Sequence, residues 1–130
     1  MTTGDDAATF YDAVGGEAFF HDLVADFYRG VATDAPLRDM YPEDDLGPAE
    51  ERLRLFLAQY FGGPTTYTER RGHPRLRMRH VPFVIDRDQR DRWLSHMLTA
   101  LDARRLDPGH DRVIRDYFIT VADFMVNTPD

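Results

Sequence analysis

The chain has 130 residues, about one domain, and its 42% hydrophobic and 12% aromatic content suits a folded core rather than a disordered chain. A formal charge of −7 argues against broad affinity for nucleic acid or anionic membranes. There is no cysteine and all 16 basic residues are arginine, which excludes disulfides, thiolate metal sites, Schiff-base lysines and P-loop lysines.

Residues 1–8 are small and polar and are expected to form a flexible tail; residues 9–130 read as a single domain. The start MTTGDD has no basic patch followed by an apolar run, and no apolar stretch reaches membrane-spanning length. A cytoplasmic protein without a membrane partner is the expectation. Gly15-Gly16 precedes a first helix over 17–33, where Phe19, Leu23, Phe27, Val31 and Phe20, Val24, Tyr28 form two rows on one broad face. Pro36 and Pro42 bracket a short turn or single-turn helix with Leu37, Met40 and Tyr41. Pro48 then opens a helix that Gly62-Gly63-Pro64 stops, with Ala49, Leu53, Phe56, Leu57 and Tyr60 as its buried stripe.

Residues 64–75 read as a loop, and a short helix is expected at 76–80, because Pro82 biases Val81 away from helical angles. Asp86 with Gln89 three residues on has the pattern of an N-cap and capping-box partner, starting a helix to about Arg104 that turns Trp93, Met97, Ala100 and Leu101 inward. Asp107-Pro108 begins a last helix with the stripe Val113, Ile114, Tyr117, Phe118, Val121, Phe124 and Met125. No strand-length alternation competes, so the chain reads as all-α around one core.

The five histidines show no H-E-x-x-H and no E-x-x-H spacing, which leaves single-histidine roles. In RLRMRHVPF, His80 has apolar neighbours in Met78, Phe83 and Ile85, and a run of arginines at 70, 71, 75, 77 and 79 surrounds it. An imidazole, an apolar slot and cations suited to carboxylates are the parts of a haem site. The same residues also suit a structural histidine beside a solvated charge run, in an all-α interaction module that binds no cofactor.

Three stretches carry a resemblance to a known family: FYDAVGG at 10–16, MYPEDDLGPAEERLRLFLAQYFGGP at 40–64 and RGHPRLRMRHVPF at 71–83. With them the chain resembles the truncated haemoglobins of group II, the O-type, over nearly its whole length. The resemblance implies a truncated globin fold, a two-over-two helical sandwich around a haem b. It makes His80 the proximal iron ligand and gives the glycine pairs the tight turns of a shortened chain. Tyr28, Tyr41 and Trp93 match the family's distal polar trio, and Ala49 matches the position where full-length globins often carry a distal histidine. Leu53, Leu57, Phe61, Tyr67, His73, Met78, Phe83, Ile85 and Met97 are the expected further haem contacts, with Arg79 and then Arg77 nearest the propionates.

Donors facing a dry distal pocket imply tight binding and slow release of O2 and of other diatomic ligands such as CO and NO. The family also suggests sulfide or peroxide as ligands, and peroxidase-like or nitric oxide dioxygenase chemistry that would need a separate reductase. A homodimer is compatible with this picture.

Overall fold

The computed structural model describes residues 9–42, 44–73 and 85–127. The expected tail over 1–8 and the short helix over 76–80 lie outside the described residues. Among the described residues every regular element is a helix.

The first element, α1 (Phe10–Val14), went unread in the sequence because five residues are too few to show a period. Thr9 caps it by accepting a hydrogen bond from the Asp12 amide at 3.1 Å. Gly15 ends it at φ +119°, in the region where glycine carries no Cβ penalty. Then comes α2 (Gly16–Ala32), whose two apolar rows are both inside: Phe20, Leu23, Val24, Phe27 and Val31 are all fully buried. Each such side chain contributes about 1.5–3 kcal/mol relative to exposure.

The single turn α3 (Ala35–Arg38) follows, with Pro36 in its first turn, and α4 (Gly47–Tyr60) starts with Pro48 in the same way. At the end of α4 the chain turns at Gly62, φ +101°, and passes close under α1. A Cβ at Gly63 would lie 2.7 Å from the Tyr11 ring, so only glycine lets α1 sit on this corner. The Tyr11 amide donates to the Phe61 carbonyl at 2.9 Å and fastens the two.

Residues 66–71 depart from the expected loop and form α5 (Thr66–Arg71). The reason is tertiary. The Gln59 side chain on α4 accepts from the Thr68 amide at 3.0 Å and donates to the Thr68 hydroxyl at 2.7 Å, supporting a turn with weak helix formers. Helix α6 (Arg87–Asp102) begins at Asp86, which accepts from the Gln89 amide at 2.9 Å. The reciprocal half of a capping box is not made, because the Gln89 side chain donates instead to the Pro36 carbonyl at 3.1 Å. Helix α7 (Pro108–Met125) starts at Asp107, which caps the His110 amide at 3.1 Å.

Helix α2 lies across α6 and pairs with α4, while α6 pairs with α7; these contacts make the two-over-two sandwich. Met97, Leu101, Leu57, Ile114 and Phe118 meet the α2 rows at its centre. Two expected stripes are narrower than read. Tyr60 is 56% exposed, and Val113 and Phe124 are each 53% exposed, whereas Ala58 and Ala122 are buried. On α7 Ile114, Phe118, Ala122 and Met125 are buried and Tyr117 packs half-buried beside them, whereas Val113 and Phe124 face outward. Tyr60 lies at the same edge, its ring 4.3 Å from that of Tyr117.

Candidate functional site

A cavity of about 480 Å³ opens between α2, α3, α4, α6 and α7. That volume falls within the ordinary range of about 300–1,000 Å³ for cofactor and small-molecule sites. Tyr28 on α2, Tyr41 after α3 and Trp93 on α6 share its wall, with Ala49, Leu53 and Leu57 of α4, Tyr67 of α5 and Ile85 before α6. A packed, cofactor-free core would fill this space with side chains.

Helix geometry brings these groups together. Tyr28 adjoins Phe27, which is fully buried and holds both neighbours: its ring is 4.8 Å from Tyr28 and 5.1 Å from Trp93. The Tyr28 and Tyr41 rings meet edge to face at 5.7 Å. Behind Trp93 stands Phe118, with ring centroids 6.1 Å apart. Trp93 lines the cavity, and its indole N–H has no hydrogen-bond partner among the described residues. Tyr117 completes this wall, and burial pushes its phenol well above the ordinary value, with the nearby Tyr60 adding to the shift.

Other polar groups also reach the cavity, among them Arg71 of the expected arginine run and, not expected there from the sequence, Arg52, Arg90 and Gln89. Arg52 of α4 and Arg71 of α5 line it, Arg71 lying 6.0 Å over the Tyr67 ring. Arg90 lines it too, but its guanidinium is held by Asp91 at 2.6 Å and Asp123 at 2.7 Å. Gln89 stands one turn before Trp93 on the same wall. Its four-residue spacing from the lone tryptophan was the available signal; for Arg52, adjacency to Leu53 was.

Three expected contacts lie elsewhere. Phe61 is buried at the α1–α4 corner, 4.8 Å from Phe10 and 5.8 Å from Phe20, because the chain has already turned away from the cavity there. Met97 is one turn past Trp93 and fully buried in the central core. His73 follows the end of α5, exposed and not on the cavity wall. His80, Arg77, Met78, Arg79 and Phe83 lie outside the described residues.

The other histidines are engaged away from the cavity. His21 pairs with Asp22 at 3.2 Å on the surface, His96 with Asp34 at 2.9 Å, and His110 with Asp107 at the start of α7. Among the described residues no group of three or more His, Cys, Asp or Glu side chains could hold a bare metal ion. A large, mostly apolar slot with arginines at its lining and an unused donor fits a planar macrocycle bearing carboxylates, whose iron needs a single protein ligand.

Residues 9–127 match the family model of the bacterial-like globins. Over 92 residues the chain is 45% identical to the group 2 truncated hemoglobin YjbI of Bacillus subtilis, covering 71% of this chain and 68% of that one. The chain belongs to the group II truncated haemoglobins. This globin superimposes on a thermostable hemoglobin from the actinobacterium Thermobifida fusca with a TM-score of 0.93 at 58% identity, covering 95% of this chain and 100% of that one. On the group II truncated hemoglobin of Bacillus anthracis the TM-score is 0.89 at 38% identity, with 95% and 94% of the chains covered. Membership implies haem and the binding of small diatomic ligands such as O2. No helix among the described residues is long and apolar enough to cross a membrane.

Proposed function

We propose that this globin holds haem b in the 480 Å³ cavity through His80 and binds O2 tightly, with slow release, against donors from Trp93, Tyr28 and Tyr41. The observation that carries the reading is the unpartnered Trp93 indole N–H on the cavity wall. The haem supplies a ferrous centre that shifts electron density onto a bound diatomic ligand. The protein then supplies fixed donors in a water-poor pocket, which favour that charge without solvent reorganisation.

Each cavity residue has a part in this. Ala49 is small and offers no side-chain donor from α4, so stabilising donors come from Tyr28, Tyr41 and Trp93 instead. Leu53 and Leu57 exclude water, which strengthens every hydrogen bond inside. Arg52 and Arg71 are suited to the haem carboxylates, because guanidinium pairs carboxylate in bidentate fashion. His80 is assigned to the iron because its place in RGHPRLRMRHVPF matches the family's proximal ligand; His21, His96 and His110 pair instead with carboxylates away from the cavity.

The test is an absorption spectrum. Purified protein titrated with haem is expected to give a stoichiometric Soret band whose ferrous–CO form is that of a histidine-ligated iron, and His80→Ala to lose it. A folded protein that takes up no haem, or a His80→Ala spectrum identical to the wild type, sinks the reading.

A further inference from the structure

Helix α3 is a single turn of four residues. It cannot hold its own place, because isolated helices shorter than about 12–15 residues are marginal in water. Yet α3 and the residues just after it give Leu37, Met40, Tyr41 and Pro42 to the cavity wall. The turn packs chiefly against α2, from which the chain has just emerged, and against α6. Three side chains of α6 fasten it. Gln89 Nε2 donates to the Pro36 carbonyl at 3.1 Å, Arg92 Nη1 donates to Asp34 Oδ1 at 3.0 Å, and His96 Nε2 lies 2.9 Å from Asp34 Oδ2. Positions 89, 92 and 96 recur at the three- and four-residue spacing of one helix face. Arg38 carries the hold forward along the chain, donating to the Tyr41 carbonyl at 3.2 Å and to the Asp44 carbonyl at 2.8 Å. Tyr41 is thereby tied, through Arg38 and α3, to the helix that bears Trp93.

We propose that Asp34 is a positioning residue of the ligand pocket: by joining α3 to Arg92 and His96, it sets where Tyr41 stands relative to α6. Asp34, Arg92 and His96 are not on the cavity wall, so the effect passes through the α3 turn and not through contact with a ligand. Hydrogen bonds weaken steeply with distance and angle, so a small displacement of this turn weakens a contact made by Tyr41 while the fold persists. The inference rests on the reading above, in which Tyr41 is one of the donors to a haem-bound ligand.

Two readouts separate positioning from mere support. The first is amide hydrogen exchange, which needs no ligand. The Met40 and Tyr41 amides bond to the Leu37 and Arg38 carbonyls. In Asp34→Ala their exchange is expected to quicken at least about fivefold more than that of the centre of α2. The second is stopped-flow O2 release from the haem-loaded protein. Asp34→Ala is expected to quicken release about fivefold, the worth of one ordinary hydrogen bond. Added to Tyr41→Phe, the same substitution is expected to change nothing further, because the contact it positions is already gone. Arg92→Met cuts one tie and leaves the carboxylate in place; it is expected to show the same pattern and serves if Asp34→Ala does not fold. Release that quickens equally with and without the Tyr41 hydroxyl overturns the proposal, as does exchange at Met40 and Tyr41 that only follows α2. Tyr41→Phe releasing O2 like the wild type overturns it together with the assignment of Tyr41 as a donor. A wild-type protein that takes up no haem overturns the haem reading beneath it, and a normal Soret band with either of the first two results overturns this inference alone.

Discussion

His96 Nε2 lies 2.9 Å from Asp34 Oδ2, so a histidine in the middle of α6 is bonded to the residue that joins α2 to α3. The other oxygen of the same carboxylate accepts from Arg92 Nη1 at 3.0 Å. Asp34 occupies the N-cap position of α3 yet makes no side-chain cap, because both its oxygens are directed to α6. The hydrogen bond from His96, followed by the charge of Arg92, holds the Asp34 carboxyl below its ordinary value of 3.8.

A carboxyl with a lowered folded-state pKa stabilises the fold above its unfolded value, and that contribution is lost as pH falls through the folded value. Asp34→Asn is therefore expected to lower the melting temperature at pH above 3.8. The gap between variant and wild type should close as the pH drops further. Thermal melts over a pH series check this, and a gap that is constant down to the acid limit would refute it.

Gly30 is the floor beneath that histidine. A Cβ there would lie 2.5 Å from His96 Nδ1, closer than any tolerable contact. Alanine favours a helix interior over glycine by about 1 kcal/mol, while overpacking costs about 1–3 kcal/mol. Gly30→Ala is expected to be net destabilising through displacement of His96 from Asp34. In the Gly30→Ala/His96→Ala pair the clash is gone, so the two costs should be less than additive in urea denaturation. Strict additivity would mean that the ring moves freely.

Trp93→Phe removes the unpartnered indole N–H and keeps an aromatic ring beside Phe27 and Phe118. A hydrogen bond to a strongly polar acceptor is worth about 1.5–3 kcal/mol, so O2 release should quicken by about ten- to a hundredfold. Stopped-flow release measurements decide it; a change below twofold would remove Trp93 from the set of donors.

Ile85 and Asn127 hold the entry to α6 against the exit from α7. The Ile85 amide donates to Asn127 Oδ1 at 3.0 Å, and the Asn127 amide donates to the Ile85 carbonyl at 2.9 Å. Asn127→Leu leaves the Ile85 N–H without its acceptor, at a cost of about 1–3 kcal/mol. Amide hydrogen exchange should show Ile85 losing protection before the centre of α2 does. Equal protection in both proteins would mean that the pair holds nothing.

Four-residue apolar rows on α2, proline at the start of α4, and Asp86 and Asp107 at helix starts are local signals, and each helix follows from them. Local patterns carry the all-helical class because a helix is made from bonds within a few residues of one another. Motif resemblance carried the family and the placing of Tyr28, Tyr41, Trp93 and Ala49, which share one cavity wall. What depends on distant contacts was illegible. Helix α5 rests on a glutamine nine residues away, and the exposed row of α7 shows that a period reveals the direction of a stripe and not its width. Phe61 and Met97 are apolar and near the right positions, yet a chain turn and one helical turn carry them off the wall. The unmet oxygen of Gln89 exists only because Pro36, 53 residues earlier in the chain, takes the other end of the amide. Sequence alone determined which faces are apolar and where helices start; packing across the sandwich decided which polar atoms were left without a partner.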